Sequence, residues 1–323
     1  MKKNVVYIFL RELKTRRNLI FLWGLKNTIK LAWVKSKIAK EIAKEKSWNL
    51  WEQKHEIILS YLNSSIAKFR NTEYCACKGV KYDVPSDTIW VFWWQGEKFM
   101  PEIVSVCYSQ LKKNSNGHPI VLLTKENICE YLKVPNIILD KVGKEMTIIA
   151  FSDYVRLNLL AIYGGLWIDS TFLLTRPLDD AIFNSQFFSI KNRPIDNDYV
   201  CKYRWAVNFM YVSPNSSYMY NIRNMFAAYW ENNSILIDYL LIDYCLELES
   251  RLNQNFNGYL QQLPITNEDS HEIRLNFNEP FNLQKWDKWL STTSCFKLTY
   301  KGALNKYVDG KQTFYGHVIE TFK

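Results

Sequence analysis

The chain has 323 residues, of which 48% are hydrophobic and 15% aromatic. This composition allows a sizeable core and excludes a largely disordered chain. The net charge of +9 is uneven, because residues 1–50 contain thirteen Lys/Arg against three Glu and the rest of the chain sums to −1. The basic surface that could attract an anionic partner is therefore expected at the N-terminus.

The N-terminal region contains two apolar runs, NVVYIFL and LIFLWGL, with the charged stretch RELKTRR between them. Each run has seven residues, which is too short to span a bilayer. The charged stretch also stands where a signal peptide would need its cleavage site. The seven cysteines are scattered and favour reduced thiols over a disulfide framework. We therefore expect a cytoplasmic protein.

Residues 4 to about 70 contain no Pro and one Gly and are predicted to be helical. If 22–46 forms one helix, five lysines fall on one stripe of it, with tryptophans interleaved: Lys26, Lys30, Lys37, Lys40 and Lys44. Such a stripe fits an interfacial helix on an anionic membrane, and residues 1–46 are the expected contact. It fits equally well the solvated face of a helix packed on the main domain. Nucleic acid is not an expected partner, because no binding motif accompanies the basic residues.

From Val84 onward, the pattern predicts strands alternating with helices. Strands are predicted at 88–96, 118–124, 136–140 and in LWID (166–169), and helices at 100–114, 127–134 and 151–165. Ser152 is the predicted N-cap of the last helix, and Gly164 its C-terminal stop. This alternation is typical of βαβ units and predicts an α/β fold with a parallel sheet covered on both faces. Beyond Asn208 the chain is predicted to be mainly helical.

Two predicted strand ends carry polar residues, Gln95-Gly96 and Asp169-Ser170-Thr171. Ligands of open α/β sheets bind at the carboxyl ends of the strands, and Asp153 and Arg156 share a face of the helix that leads into the second strand end. Each residue also has a structural explanation. Asp153 could stabilise the first helical turn, Arg156 could be its surface partner, and Asp169 could cap a turn. Their combination favours a ligand site.

The stretch FSDYVRLNLLAIYGGLWIDST resembles the capsular polysaccharide synthesis glycosyltransferases, relatives of glycosyltransferase family 32. Their hallmark is a Ser-Asp-x-x-Arg helix, a Gly-Gly turn and a strand that ends in Asp-x-Asp or Asp-x-Thr. IWVFWWQGEKFMPEIV and FKLTYK resemble other segments of the family. The resemblance extends in patches from about residue 84 to residue 301 and does not cover the first 70 residues.

The resemblance implies a GT-A-type, Rossmann-like fold with a mixed, mostly parallel sheet flanked by helices, to which the sequence pattern adds a helical N-terminal extension. The predicted division is a basic helical region at 1–75 and a glycosyltransferase domain at 84–323. Within that domain, 84–180 would bind the nucleotide sugar, and 181–323 would bind the acceptor. The implied reaction is transfer of a hexose, with retention, from a UDP-sugar to a lipid-linked oligosaccharide. It would take place on the inner face of the plasma membrane during capsular or surface polysaccharide synthesis.

The resemblance also assigns roles by position. Catalytic roles are implied for Asp169, Asn208 and Asp238. Donor-binding roles are implied for a larger set: Trp93, Trp94, Gln95, Asp153, Arg156, Asp169, Tyr239, Lys297 and Lys301. Metal ligands are implied at Asp169, Thr171 and His317, with Mn²⁺ or Mg²⁺ as the ion. Thr171 stands where the full Asp-x-Asp motif has its second aspartate, and a neutral hydroxyl is a much weaker ligand, so the need for a metal is an open question.

Two other functions compete with this one. A non-catalytic scaffold of the polysaccharide assembly machinery could keep the same fold, and Thr171 is its best support. A Rossmann-type oxidoreductase is disfavoured, because WWQGEKF after the first strand has one glycine and no G-x-G-x-x-G.

Overall fold

A computed structural model describes residues 24–41, 48–72, 77–192 and 198–323. Helices α1 (Leu25–Glu41) and α2 (Trp48–Ser65) form the N-terminal part, followed by a 3₁₀ turn at Ala67–Phe69. Val34 and Ile38 of α1 pack on Leu50 of α2, and other buried side chains of both helices join the core of the sheet. The predicted helicity is confirmed over these two spans. Residues 1–23 and 42–47, which include Lys44, lie outside the described residues.

Five strands form the central sheet, in the order β3-β2-β5-β8-β7. Within the described ranges the strands are β1 (Lys78–Gly79), β2 (Ile89–Phe92), β3 (Ile120–Leu123), β4 (Leu132–Lys133), β5 (Gly165–Ile168), β6 (Phe172–Leu174), β7 (Phe187–Ser189), β8 (Phe209–Val212), β9 (Cys295–Lys297), β10 (Tyr307–Val308) and β11 (Lys311–Gln312). Strand β2 is parallel to β3 and β5, whereas β8 is antiparallel to β5 and β7. The sheet is therefore mixed, as predicted, with β8 running opposite to the other four strands.

Helices cover both faces of this sheet. After α1 and α2 they are α3 (Glu102–Asn114), α4 (Asn136–Leu139), α5 (Ile148–Ile162), α6 (Ser217–Asn232), α7 (Leu241–Leu252), α8 (Gln254–Gln262), α9 (Glu272–Leu275), α10 (Leu283–Thr292) and α11 (Phe314–Phe322). Alternate strand residues face opposite sides. Trp90 and Trp167 therefore join α5 and α6 in one core, whereas Ile89 and Leu166 join α3 in another. The chain is a mixed α/β protein with helices on both faces of its sheet.

Three local predictions are wrong. Residues 136–140 form the single helical turn α4 and not a strand, because their amides bond within the segment, from Leu139 to the Pro135 carbonyl at 3.1 Å and from Asp140 to the Asn136 carbonyl at 2.8 Å. Residues 127–134 form a 3₁₀ turn at Ile128–Glu130 and the short β4. Helix α5 begins one turn before the predicted Ser152 cap. Its N-cap is Thr147, whose side-chain oxygen accepts a hydrogen bond from the Ala150 amide at 3.1 Å.

The Gly-Gly turn between α5 and β5 is confirmed, and its geometry requires glycine twice. Gly164 has φ +73° and ends the helix in the left-handed region. Gly165 has φ +96° and lies against the Thr88 carbonyl so closely that a Cβ would clash with it. The Gly164 carbonyl accepts a hydrogen bond from the buried Trp90 indole at 2.9 Å. This turn fixes where β5, and the aspartate after it, enter the sheet.

The C-terminal part of the chain packs against the outer side of α3. Strand β9 pairs antiparallel with β6, which places Lys297 opposite Phe172. Side chains of α3, α10 and α11 form a further apolar cluster with Phe296. The six cysteines of the described residues are free thiols, as expected, and Cys75 lies outside those residues. Among the described helices, none combines the length and the apolar character needed to cross a membrane.

Candidate active site

Asp169 lies at the carboxyl end of β5, where its side chain accepts three hydrogen bonds. Oδ1 accepts from Arg156 Nη2 at 3.0 Å and from Trp167 Nε1 at 2.8 Å. Trp167 is two residues earlier on the strand and therefore shares its face. The Arg156 guanidinium also lies over the Trp167 ring, 4.7 Å from its centre, and donates to the Val207 carbonyl at 2.8 Å. Helix α5 and strand β5 thus hold the carboxylate in one orientation.

The third donor comes from the far end of the chain. Lys297 Nζ lies 2.6 Å from Asp169 Oδ2 and 2.8 Å from Thr171 Oγ1. The β6–β9 pairing places it there, and the Leu298 amide also donates to the Thr171 carbonyl at 2.8 Å. The Asp169 side chain nevertheless stays 27% exposed, and that of Lys297 15%. A ligand could therefore still reach this strand end.

The carboxylates of the site titrate differently because their neighbours differ. Burial raises the pKa of Asp153 to about 7, since Arg156, 3.4 Å away, compensates only part of the cost of desolvation. Burial would also raise the pKa of Asp169, but Lys297 and Arg156 together outweigh it and hold that pKa below its usual value. Burial lowers the pKa of Lys297 despite the opposing effect of Asp169. Asp169 is therefore held in its ionised form at neutral pH, whereas Asp153 titrates close to neutral pH.

Asn208 and Tyr239 lie beside this cluster. The Asp169 amide donates to the Asn208 carbonyl at 2.9 Å, at the point where β8 begins next to β5. Tyr239 is 71% exposed, and the charges of Asp153 and Asp169 contribute, after burial, to a raised pKa of its hydroxyl. The structure therefore brings both predicted residues to the same edge of the sheet.

Asp238 is held by the N-terminal helices. Its Oδ2 lies 2.9 Å from Lys54 Nζ and 3.9 Å from Lys35 Nζ, and its side chain is 8% exposed. Asp238 and Tyr239 precede α7, so this ion pair joins α1 and α2 to the loop that borders the cluster. The catalytic role that the resemblance implies for Asp238 stays a prediction.

The residues after β2 flank the cluster on the other side. Trp90 is level with Trp167 in the parallel pairing, so the residues after Phe92 lie at the same sheet edge as Asp169. Trp94 packs edge-on against Phe151 of α5, and Trp93 edge-on against Tyr300. Gln95 is exposed. Lys301 is exposed as well, and its ammonium lies 5.9 Å from the centre of the Tyr300 ring.

The predicted metal ligands do not form a metal site. Thr171 Oγ1 and Asp169 Oδ2 both accept from the Lys297 ammonium. His317 stacks on Phe281 at 3.8 Å between ring centres and meets Trp286 at 4.8 Å, within the C-terminal apolar cluster. Throughout the described ranges, no three His, Cys, Asp or Glu side chains could together hold a metal ion. These residues do not fit a divalent cation bound by the protein alone.

A cavity of about 730 Å³ lies apart from this cluster. Phe187, Phe209, Leu263 and Cys295 are among the residues that line it, and none of the cluster residues does. It is therefore not part of the candidate active site.

Comparison with protein families supports the resemblance in the sequence. The family described as capsular polysaccharide synthesis protein matches residues 35–318. The chain belongs to this family. Comparisons with curated proteins and with solved structures give no match. Membership of this family indicates involvement in capsular polysaccharide synthesis. The match also corrects one expectation, because it includes α2 and part of α1, which the resemblance in the sequence did not cover.

Sequence reasoning missed two residues of the site in this family member. Asp243, in the first turn of α7, is buried and accepts a hydrogen bond from Trp205 Nε1 at 2.8 Å. Burial raises the pKa of Asp243 to about 6, and its charge acts on Asp153. The signal was present, because Leu-Ile-Asp-Tyr occurs twice, at 236–239 and at 241–244. Trp167 was also missed, although its two-residue spacing from Asp169 places both side chains on one face.

Proposed function

We propose that the chain is a glycosyltransferase that moves a hexose from a nucleotide sugar, with a UDP-hexose as the expected donor, to a glycan acceptor. The observation that carries the proposal is the convergence of Asp153, Arg156, Asp169 and Lys297 at the open end of β5. Membership of a capsular polysaccharide synthesis family supports the same process. The GT-A fold and the relation to family 32 are part of this proposal.

The chemistry of the cluster suits the two parts of such a donor. When the glycosidic bond to the diphosphate breaks, negative charge develops on the phosphate oxygens and positive charge on the sugar. Arg156 and Lys297 are the cations that would hold the diphosphate. Asp169 would face the sugar hydroxyls, with the Asn208 amide beside it. Retention of configuration is expected from the resemblance, with the departing phosphate accepting the proton of the acceptor hydroxyl.

The aromatic residues near β2 would bind the other end of the donor. Trp93 and Trp94 are both partly exposed at the sheet edge that carries Asp169, and Gln95 is exposed beside them. Aromatic faces stack on bases and on sugar rings, and an amide can pair with a base edge. We propose that these three residues contact the base and the ribose, with Tyr239 and Lys301 at the rim of the site.

The exposed side of helix α1 is the evidence for an anionic membrane as the place of a lipid-linked acceptor. Its buried side faces α2, and the opposite side exposes Ile29 (58%) and Trp33 (53%). Three exposed lysines share that side: Lys26, Lys30 and Lys37. A stripe that combines lysines with apolar residues is typical of helices that lie on an anionic lipid surface. We propose that this surface places the chain on the inner face of the plasma membrane. The predicted contribution of Lys40 and Lys44 lies outside the side chains that the structure describes.

The test of the transferase is a thermal-shift screen of nucleotide sugars, followed by donor hydrolysis and sugar transfer with the donors that stabilise the chain. Ligand binding raises the unfolding temperature according to its concentration relative to Kd. We expect one class of UDP-sugar to stabilise the chain and to be consumed. A donor that binds without turnover under any condition would instead support the scaffold, and the absence of binding by every nucleotide sugar would refute the proposed function.

The test of the membrane surface is co-sedimentation with vesicles of phosphatidylcholine and phosphatidylglycerol in equal amounts. Replacing Lys26, Lys30 and Lys37 with Gln should weaken binding by about 3 kcal/mol at low salt, since each basic residue contributes about 1 kcal/mol. The matched control replaces three exposed lysines elsewhere: Lys98, Lys288 and Lys311. Equal losses in both triple variants would show that net charge, and not α1, drives the binding.

A further inference from the structure

We propose that the Lys297 ammonium takes the place of the divalent cation at the Asp169-Ser170-Thr171 strand end, so that this chain binds a nucleoside diphosphate without a metal. The inference rests on the proposed function, because it concerns the diphosphate of the same donor. The inference extends the proposed function by naming the group that neutralises the phosphates.

The Lys297 ammonium contacts the same two oxygens that would coordinate a metal ion at this strand end. Its Nζ lies between Asp169 Oδ2, at 2.6 Å, and Thr171 Oγ1, at 2.8 Å. A divalent cation coordinated by both oxygens would have to lie about 2.0–2.6 Å from each, and so almost where the ammonium is. The two cations would also repel each other strongly in a partly buried site. The metal and the ammonium are therefore alternatives.

Thr171 is consistent with the ammonium and poorly suited to the metal. A neutral hydroxyl accepts a hydrogen bond from an ammonium but contributes little to binding Mn²⁺ or Mg²⁺. A second aspartate at this position would favour the divalent ion by adding another negative charge. Thr171 is also 8% exposed, and its carbonyl is bonded to the Leu298 amide, so the hydroxyl is held next to β9. The threonine and the lysine thus form one matched pair.

Lys297 also retains capacity for a ligand. An ammonium has three N–H donors, and two are accounted for by Asp169 and Thr171. Arg156 adds a second cation on the other oxygen of Asp169, at 3.0 Å. Lysine binds phosphate as a point charge, whereas arginine presents a planar fork. Together they supply two positive charges, the number that one divalent cation would bring to a diphosphate.

The experiment measures the binding of UDP, GDP and inorganic pyrophosphate to the full chain by calorimetry, in EDTA and in Mn²⁺. We expect the wild-type Kd of the tightest of these probes to change less than threefold between the two conditions. Lys297→Met should weaken its binding in EDTA by about 10- to 100-fold, as expected for the loss of a charge-assisted hydrogen bond. The control Lys288→Met removes an exposed lysine of α10 and should leave Kd unchanged.

A reciprocal variant makes the test independent of simple loss of function. In the double variant Lys297→Ala with Thr171→Asp, the strand end regains an Asp-x-Asp motif and loses the ammonium. We expect its nucleotide binding to be weak in EDTA and to improve at least tenfold in Mn²⁺. Circular dichroism and thermal unfolding of each variant verify that it is folded, and Lys297→Arg, which keeps a cation, should retain at least part of the metal-independent binding.

The outcomes separate this inference from the proposed function. Wild-type binding that requires Mn²⁺ would overturn the replacement of the metal and leave the transferase intact. Binding by folded Lys297→Met that equals wild type in EDTA would overturn it as well. If none of the three probes binds wild type with or without metal, the inference fails, and the thermal-shift screen of nucleotide sugars decides the proposed function separately.

Discussion

Asp169 and Asp238 each pair with a lysine from a distant part of the chain, but the two regions are built differently. Asp169 follows a central strand, accepts from Arg156, Trp167 and Lys297, and keeps a side-chain exposure of 27%. Asp238 lies in a loop and is 8% exposed. Its partners, Lys54 and Lys35, are at 2.9 and 3.9 Å and belong to the N-terminal helices.

The difference indicates what each aspartate can do. At the first region a carboxylate is oriented by donors and still open to a ligand, as expected of a binding or catalytic group. At the second region the carboxylate is enclosed by its own ion pair, which fastens α1 and α2 to the loop before α7. We therefore expect Asp169 to act on the substrate directly and Asp238 to act through the position of Tyr239.

The strongest test of this contrast is the pair Asp169→Asn and Asp238→Asn. Asp169→Asn should lower the rate of sugar transfer by about 10²- to 10³-fold, because the charge facing the sugar and orienting Lys297 is lost. Asp238→Asn should lower it less than tenfold. Both are measured as transfer from the donor found in the screen, with thermal unfolding as the control for folding. A larger loss in Asp238→Asn would move catalysis to the loop, as the resemblance implies.

A second test uses the buried carboxyl of Asp153. Its pKa of about 7 lies above that of an unfolded aspartate. Between about pH 4 and pH 7 the folded chain therefore holds a proton that the unfolded chain has released, and rising pH favours unfolding. Asp153→Asn removes this dependence. Relative to wild type, it should gain about 2 to 3 kcal/mol in the free energy of unfolding from pH 5 to pH 8.

Urea unfolding of both proteins at pH 5 and pH 8 measures this difference. Asp243, with a pKa of about 6, acts with the same sign as Asp153. Buried His55 and half-buried His271, with pKa values lowered to about 4, act with the opposite sign. These contributions are present in both proteins and cancel in the difference to first order. The lowered pKa of Asp169 has its effect only under more acidic conditions. A pH-independent difference would show that Asp153 is ionised in the folded chain at pH 5.

How far the sequence predicted the site depended on the distance along the chain. Asp153, Arg156 and Asp169 lie in one helix–turn–strand unit, and the helical and strand periods bring them together as expected. Lys297 is 128 positions from Asp169, and only the resemblance of FKLTYK to a family segment indicated it. His317 was predicted as a ligand, but no periodicity distinguishes a ligand from a ring stacked among aromatics.

The same limit explains why the sequence did not predict strand β8. The run FMYV of β8 has four buried apolar residues, and such a short run shows neither a helical nor a strand period. Its antiparallel direction depends on pairing with β5 and β7, and local propensity does not describe such pairings between separate segments. Strands β2, β3 and β5 were predicted because the segments between them include helices that are long enough to show a helical period.

The smallest expected effect concerns the ion pair that holds the N-terminal helices. Lys54→Met removes the partner at 2.9 Å and leaves Asp238 enclosed with Lys35 at 3.9 Å. We expect a loss of about 1 to 2 kcal/mol in the free energy of unfolding, less than for a fully buried pair, because Lys35 still compensates part of the Asp238 charge. The matched control is Lys202→Met on the exposed pair with Glu52, also at 2.9 Å, which should cost less than about 0.5 kcal/mol. Both are measured by urea unfolding.

In the double variant Lys54→Met with Asp238→Asn, the stability should partly return, since no buried charge is left unpaired. If instead the double variant loses the sum of the two single losses, the ion pair does not fasten the helices, and their packing through apolar side chains alone holds them beside the site.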